Sequence, residues 1–122
     1  MAEKEKTYSE QEIEAQLREL PGWFYQDGWI RRNYKTDGWP TTLMLVNAIA
    51  FLSEAAYHHP DLAVTWARVT VKLSTHSAGG ITDKDFLLAR QIEGVALWRP
   101  SEDSPLGTGT PNKLVRSGDP KA

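Results

Sequence analysis

The sequence predicts an α+β domain in which a four-stranded, mostly antiparallel sheet is covered on one face by helices. Three observations indicate this class. Residues alternate between two faces at 62–66 and at 69–75, which is the period of a β-strand. An Asp-Gly turn at 27–28 separates two segments rich in aromatic residues, which is typical of a β-hairpin. Three other segments carry apolar residues at helical spacing, and the predicted order is α-β-β-α-β-β-α.

The first half of the chain is predicted to form a helix, the hairpin and a second helix. A capping box at Ser9–Glu12 opens the first helix, near 9–20, and Pro21 with Gly22 ends it. The hairpin runs from Trp23 to Tyr34. Pro40 suits the first turn of the second helix, because its missing N–H would be unpaired there, and we expect this helix near 40–57.

The second half is predicted to form two strands and a third helix. Pro60 cannot continue the second helix and biases His59 toward extended geometry. In the strand at 69–75 the odd-numbered residues, which are Val69, Val71, Leu73 and Thr75, suit the face that the helices cover. Thr82 and Asp85 are expected to cap the third helix. The buried stripe of this helix is predicted to comprise Phe86, Ala89, Ile92 and Val95 or Ala96.

The two ends of the chain differ from the domain predicted at 8–98. Residues 1–7 are polar and are expected to be a flexible N-terminus. Residues 99–122 hold four of the seven prolines and too few apolar residues to offset the entropy of ordering. We therefore expect an extended or disordered C-terminal tail whose removal hardly changes the melting temperature.

The composition narrows the class of function. With no cysteine the chain can form neither disulfides nor thiolate metal sites, which fits the cytoplasm. No segment approaches the roughly eighteen apolar residues of a membrane span, and the N-terminus lacks the apolar run of a signal peptide. The net charge is −2, and acidic and basic residues are interspersed, so the sequence lacks the clustered positive charge that is typical of nucleic-acid-binding proteins. We expect a cytoplasmic protein with no membrane or nucleic-acid partner. Its five tryptophans suit core and interface anchors or a pocket for a flat ligand.

A cluster of titratable residues lies at the ends of the predicted elements. It comprises Glu54, His58, His59, His76 and Asp85, with Trp66 among them. Glu54 and His58 are four residues apart and so are expected to share one face at the end of the second helix. Because histidine titrates near neutrality, two histidines can supply the acid and the base of one reaction.

Structural interpretations compete with this chemistry on the residues alone. Adjacent histidines can form a polar helix cap, and Thr82 with Asp85 matches a capping pattern. A zinc site is poorly supported, because adjacent histidines rarely ligate one ion and no cysteine is available. No Gly-rich phosphate motif or nucleophile elbow occurs. The residues alone are therefore compatible with either a polar helix cap or an acid–base site.

The run Glu54-x3-His58-His59-Pro60-x5-Trp66-x9-His76-x8-Asp85 resembles the signature of the pterin-4a-carbinolamine dehydratases, also called 4a-hydroxytetrahydrobiopterin dehydratases. The segments LPGW at 20–23, VTVKLSTH at 69–76 and GGITDKDF at 79–86 are also similar to that family. The resemblance covers most of the predicted domain, and every signature position is filled.

This resemblance implies loss of water from a 4a-hydroxytetrahydropterin to give quinonoid dihydropterin, with no metal and no cofactor. It implies that His58 and His76 are the acid–base pair and that His59 orients the substrate. Glu54 and Asp85 would be supporting carboxylates. The implied substrate-binding residues are His58, His59, Pro60, Trp66, Thr75, His76, Ser77 and Ala78.

The resemblance also implies assembly, and the open edges of the predicted sheet favour self-association as well. We expect a homodimer or a homotetramer. The alternative function is a non-catalytic dehydratase-like binding protein, such as a carboxysome-associated RuBisCO assembly factor or a dimerisation cofactor. A pterin-dependent hydroxylase or RuBisCO would then be the candidate protein partner.

Overall fold

Three helices pack on one face of an antiparallel sheet in the computed structural model, which describes residues 5–120. The helices are α1 (Glu10–Leu17), α2 (Trp39–Ala56) and α3 (Asp83–Ala96). The strands are β1 (Trp23–Gln26), β2 (Trp29–Thr36), β3 (Asp61–Thr65), β4 (Arg68–Leu73) and β5 (Val115–Ser117). They lie in the order β1-β2-β4-β3, and β5 pairs with β2. The predicted α+β class is confirmed, although the sheet has five strands and not four.

Capping residues set the start of α1 and α3, as predicted. The Ser9 hydroxyl accepts from the Glu12 backbone N–H, and the Glu12 carboxylate accepts from the Ser9 N–H. Thr82 and Asp85 repeat this arrangement at α3. α1 is shorter than predicted, because after Leu17 the chain turns and its backbone bonds span three residues.

The core lies between the helices and one face of the sheet. Val69, Val71 and Leu73 of β4 are fully buried there, as their alternation predicted. Ile30 and Tyr34 of β2 lie on the same face and are also fully buried. The other face of the sheet carries polar side chains and is covered by no helix among the described residues.

An ion pair between a buried arginine and a partly buried glutamate joins β2 to α3, and no local pattern in the sequence predicts it. Nε and Nη2 of Arg32 each donate to Glu93 at 2.9 Å, and Tyr34 and Trp23 donate to the same carboxylate at 2.6 and 3.0 Å. Burial raises the pKa of Glu93, but the bonds from Arg32 and Tyr34 outweigh it and the net shift is downward. Burial and the neighbouring carboxylate raise the pKa of Tyr34. All of the polar groups in this cluster are therefore satisfied, which makes their burial tolerable.

The C-terminal segment contains a strand that the composition did not predict. β5 pairs with Tyr34–Thr36, beyond the end of β1, and so covers part of an edge of β2. The Ser117 hydroxyl accepts from Arg32 Nη1 at 2.8 Å, and the Gly118 N–H donates to Asn33 O at 2.9 Å. The expectation of a four-stranded sheet was wrong because three residues are too few to give a periodic pattern. Their pairing is stabilised by the edge and by Arg32, which lie far away in sequence.

The N-terminal segment also contacts the domain where it is described. Residues 1–4 of the predicted flexible start lie outside the described range. Glu5 forms an ion pair with Lys84 at 2.6 Å, and the Tyr8 N–H donates to Ile81 O at 2.8 Å. Within residues 5–120, no helix is long and apolar enough to cross a membrane.

Candidate active site

The end of α2 determines where the two adjacent histidines point. Tyr57 adopts a left-handed conformation with φ of 50°, and the His58 N–H donates back to Ser53 O at 3.1 Å. The chain then leaves the helix, and Pro60 leads directly into β3. His58 and His59 consequently point to different partners, although they are adjacent in sequence.

Asp85 connects three elements around His58. Its Oδ2 accepts from the Thr82 N–H at 2.9 Å and from Thr75 Oγ1 at 2.8 Å, whereas its Oδ1 lies 2.7 Å from His58 Nε2. Asp85 is fully buried, and the His58 side chain is 13% exposed. The helix cap and the carboxylate partner, which the sequence left as alternatives, are thus the same residue. The two bonds to Oδ2 fix the orientation of the carboxylate and direct Oδ1 toward His58.

Glu54 does not pair with His58, although the four-residue spacing suggested that these two side chains share one face. Its Oε1 lies 2.8 Å from His59 Nε2, and both side chains are mostly exposed. The reason is the left-handed Tyr57, which ends the helical periodicity one residue before His58. The structure therefore has two separate imidazole–carboxylate pairs, one buried and one exposed.

His76 begins a short 3₁₀ turn (His76–Ala78) that follows β4. Its ring packs edge-on against Trp29, with the ring centres 5.2 Å apart, and the side chain is exposed. The Lys72 ammonium also lies over the Trp29 ring, with its nitrogen 4.7 Å from the ring centroid. Trp29 was not predicted as a site residue, and its place in the hairpin gave no signal for this contact. The neighbouring Thr75 side chain bonds Asp85, which brings His76 to the same end of the sheet as His58.

The remaining residues of the predicted substrate site fall into two groups. Ser77 is exposed and Ala78 is buried, and both lie in the turn beside His76. Pro60 lies beside His59. Trp66 lies elsewhere: its ring packs on Gly38 at the start of α2, and it is 67% exposed. Because α2 has 18 residues and is about 27 Å long, Trp66 is remote from the histidines of its own chain.

Two surface grooves border the histidines. The first has a volume of about 410 Å³, is mainly apolar and lies between α2 and α3, with His58, Leu52, Leu87 and Leu88 in its wall. The second, which we call the β3 groove, has a volume of about 400 Å³. It is lined by Ile49, Ala50, Ser53, Glu54, His59, Pro60 and Leu62. Among residues 5–120 no group of three or more acidic, histidine or cysteine side chains is placed to hold a metal ion.

This arrangement can perform acid–base chemistry. The buried Asp85 carboxylate holds one nitrogen of His58, so the other nitrogen remains for exchange of a proton. His76 supplies a second, exposed imidazole at the same end of the sheet. Neither imidazole has a partner set typical of a structural zinc site.

The chain matches a family model over most of its length. The model for pterin 4 alpha carbinolamine dehydratase matches residues 6–95. Two relatives are both named "Putative pterin-4-alpha-carbinolamine dehydratase". One, from Aquifex aeolicus (strain VF5), is 48% identical over 85 residues, which are 70% of this chain and 86% of the relative. The other, from Nocardia farcinica (strain IFM 10152), is 42% identical over 88 residues, or 72% and 93% of the two chains.

Two solved structures share the fold. A transcriptional coactivator/pterin dehydratase from Brucella melitensis superimposes with a TM-score of 0.71 at 32% identity. The match covers 75% of this chain and 99% of that one. A pterin dehydratase-like protein identified as a RuBisCO assembly factor in the alpha-carboxysome gives a TM-score of 0.53 at 19% identity, covering 62% and 89%. At that identity the second match shows the fold alone.

Proposed function

Since this chain belongs to the pterin 4 alpha carbinolamine dehydratase family, we propose that it removes water from a 4a-hydroxytetrahydropterin by histidine acid–base catalysis. The observation that carries this proposal is the His58–Asp85 pair. A buried carboxylate, itself held by two further hydrogen bonds, fixes one imidazole at the end of the sheet where His76 also lies. A mere polar cap would not require a buried carboxylate partner.

The reaction needs one proton given and one proton taken. The bond between C4a and the hydroxyl oxygen breaks, and the oxygen leaves as water once it is protonated. The proton on N5 goes to a base, and a double bond forms between C4a and N5. His58 and His76 have the residue type for these two roles, and Asp85 stabilises His58 when it carries the extra proton.

The exposed pair of Glu54 and His59 has a different role in this proposal. Because both side chains are mostly exposed and pair with each other, we assign them to orienting the pterin and not to the proton transfers. The turn containing Ser77 and Ala78, together with Thr75 and Pro60, provides backbone and side-chain contacts for the heterocycle. The substrate in this proposal is a 4a-hydroxytetrahydropterin such as 4a-hydroxytetrahydrobiopterin, and the cytoplasm is the expected location of the protein.

The experiment is a dehydration assay on purified alanine variants. His58→Ala and His76→Ala should each lower kcat by roughly 10²-fold or more, the usual scale of acid–base catalysis. His59→Ala should act mainly on KM and so serves as the control with an imidazole removed from the same segment. Full activity in the His58→Ala, His76→Ala double variant would overturn the assignment.

Self-association is also part of this proposal. Several large apolar side chains on the outer side of α2 are exposed in the single chain, among them Met44 and Phe51. Exposed apolar side chains of this size are typical of surfaces that meet another protein. We expect a homodimer or homotetramer, and light scattering at micromolar concentration would measure it.

A further inference from the structure

The face of the sheet that no helix covers carries a cluster of positive charge. Five cations of β2, β4 and β5 alternate with the buried residues and so point to this face: Arg31, Lys35, Arg68, Lys72 and Arg116. Within the described strands, Asp61, which faces Lys72, is the acidic residue on this face. Asp119 lies at its margin, where its carbonyl oxygen accepts from Asn33 Nδ2 at 2.9 Å. The cluster is not visible in the sequence, because its members come from three strands that are far apart along the chain.

The strand register places these cations directly opposite one another. Arg31 faces Lys72, and Lys35 faces both Arg68 of β4 and Arg116 of β5. Like charges in directly opposite positions destabilise a sheet. Among residues 5–120 no acidic side chain forms an ion pair with any of the five. The repulsion is therefore not relieved by an ion pair in the described part of the chain, and a bound anion would relieve it.

One of these opposed pairs lies beside the imidazole of His76. The Lys72 nitrogen lies over the Trp29 ring, and the same ring contacts His76. Arg31 is oriented by a bond from its Nε to Gln26 O at 3.1 Å, and within residues 5–120 its two terminal nitrogens make no hydrogen bond. A guanidinium held in this way presents its remaining donors to the paired oxygens of a carboxylate or a phosphate.

A groove on the same face provides space beside this pair. Its volume is about 660 Å³, which is in the range of small-molecule sites. Its wall contains Gln26, Arg31 and Phe24. Gln26 pairs with Trp29 in the register, and Arg31 faces Lys72, so the groove adjoins the surroundings of His76. Part of a molecule bound at His76 can therefore extend into it.

The chemistry of the proposed substrate determines which part of it meets this pair. In a 4a-hydroxytetrahydropterin the reacting atoms are C4a and N5, and N5 is bonded to C6, which carries the substituent in which pterins differ. The substituent therefore leaves the ring close to the imidazoles that act on C4a and N5. On the side of His76, the side chains beside it are those of Trp29, Lys72 and Arg31.

We propose that Arg31 and Lys72 form an anion-binding subsite for the C6 substituent, so that this chain prefers tetrahydropterins whose substituent carries a phosphate or a carboxylate. The inference rests on the proposed function, because that function places the pterin ring at His76. Arg31 supplies paired donors, and Lys72 supplies a compact charge. Both side chains are half-buried, where the attraction to an anion is screened less than in open water.

Two matched pairs of unreactive pterins test the preference by calorimetry. The 3′-phosphate of 7,8-dihydroneopterin differs from 7,8-dihydroneopterin by one phosphate, and 7,8-dihydropteroate differs from its carboxamide by one carboxylate. In at least one pair the anionic member should bind the wild-type protein about tenfold more tightly than the neutral member. The pair that shows the difference identifies the anion as a phosphate or a carboxylate. Equal dissociation constants within both pairs would overturn the subsite.

Charge variants test whether these two side chains cause the preference. The readout is the ratio of the dissociation constants of the neutral and the anionic member, which a general loss of affinity does not change. Lys72→Gln and Arg31→Gln should each lower this ratio several-fold, and Lys72→Glu should bring it to one or below. Lys35→Gln is the matched control on the same face, about 13 Å from Arg31, where about 0.15 M salt screens most of its effect, so the ratio should persist. Equal falls in Lys72→Gln and Lys35→Gln would assign the preference to the whole face and overturn the subsite.

Binding of the neutral pterins separates this inference from the proposed function. If the neutral compounds bind and their anionic partners bind no better, the subsite is refuted and the proposed function stands. If none of the four pterins binds the folded protein, the proposed function is refuted together with the subsite.

Discussion

Replacing Asp85 with asparagine separates its structural role from its chemical one. The asparagine oxygen can take the place of Oδ2 and keep the bonds from the Thr82 N–H and Thr75 Oγ1. The amide NH2 group then faces His58 Nε2, where the carboxylate oxygen stood at 2.7 Å. His58 must accept at that nitrogen, so its tautomer is reversed, and the negative charge that stabilises its protonated form is lost.

The magnitudes follow from these contacts. A hydrogen bond to a charged group contributes about 1.5–3 kcal/mol and a neutral one about 0.5–1.5 kcal/mol, so the exchange should cost about 1 kcal/mol of unfolding free energy. For a chain of this size that corresponds to a fall of roughly 4 °C in Tm. The loss in kcat should be far larger, roughly 10²-fold or more, because the proton transfer itself depends on the tautomer and the charge.

Thermal melts and steady-state dehydration kinetics on the same preparations would measure both effects. Asp83→Asn is the matched control: it removes another carboxylate from the first turn of α3, one that contacts Tyr8 and not His58. It should lower Tm slightly and leave kcat unchanged. Equal kcat values for Asp85→Asn and the wild type would refute the role that we give to the His58–Asp85 pair.

Three further predictions concern stability. Glu93→Ala leaves the Arg32 guanidinium, whose side chain is 2% exposed, without its carboxylate and should cost about 3–5 kcal/mol in urea denaturation. Since the pKa of Glu93 is lowered on folding, this stabilisation is present above about pH 4.3 and is lost as the pH falls further. If the unfolding free energy of Glu93→Gln fell with decreasing pH in the same way as that of the wild type, this reasoning would be contradicted. Composition alone predicted that deleting 101–122 would hardly change Tm, but the deletion removes β5 and its bond to Arg32 and should therefore lower Tm by several degrees. An unchanged Tm would mean that the strand contributes nothing to stability. Gly22→Ala would force alanine to adopt a φ of +91° and would place its methyl group 2.3 Å from Arg32 Nη1, so it should destabilise the protein by more than about 1 kcal/mol in thermal melts. Gly94→Ala is the control: it has open space around it and should stabilise α3 by up to about 1 kcal/mol in the same melts.

Local patterns in the sequence predicted most of the fold. The two capping boxes, the Asp27-Gly28 turn and the alternation at 69–73 each depend on residues within a few positions of one another. The α+β class follows from these local signals, because the period of each segment decides its type. β5 depends instead on a free edge of β2 and on Arg32, some eighty residues earlier, and no local pattern encodes such pairing.

The sequence named candidate site residues, but it did not predict how their side chains pair. Asp85 could be assigned both as a cap and as a carboxylate partner, and it is both. The pairing of Glu54 with His59 depends on the left-handed Tyr57, which spacing rules do not anticipate. The contact between His76 and Trp29 joins the turn after β4 to the start of β2, and these two segments are distant in sequence. The motif gave no sign that Trp66 and the histidines lie at opposite ends of α2.

The most direct test of the central claim is the rate at which the purified wild-type protein dehydrates a 4a-hydroxytetrahydropterin, measured against the uncatalysed rate in the same buffer. The reaction can be followed by the absorbance of the quinonoid dihydropterin product. If His58 and His76 act as acid and base, the protein should accelerate the reaction by at least about 10²-fold, and the His58→Ala, His76→Ala double variant should lose that acceleration. A wild-type rate equal to the uncatalysed rate, in a folded protein, would contradict the proposed catalysis.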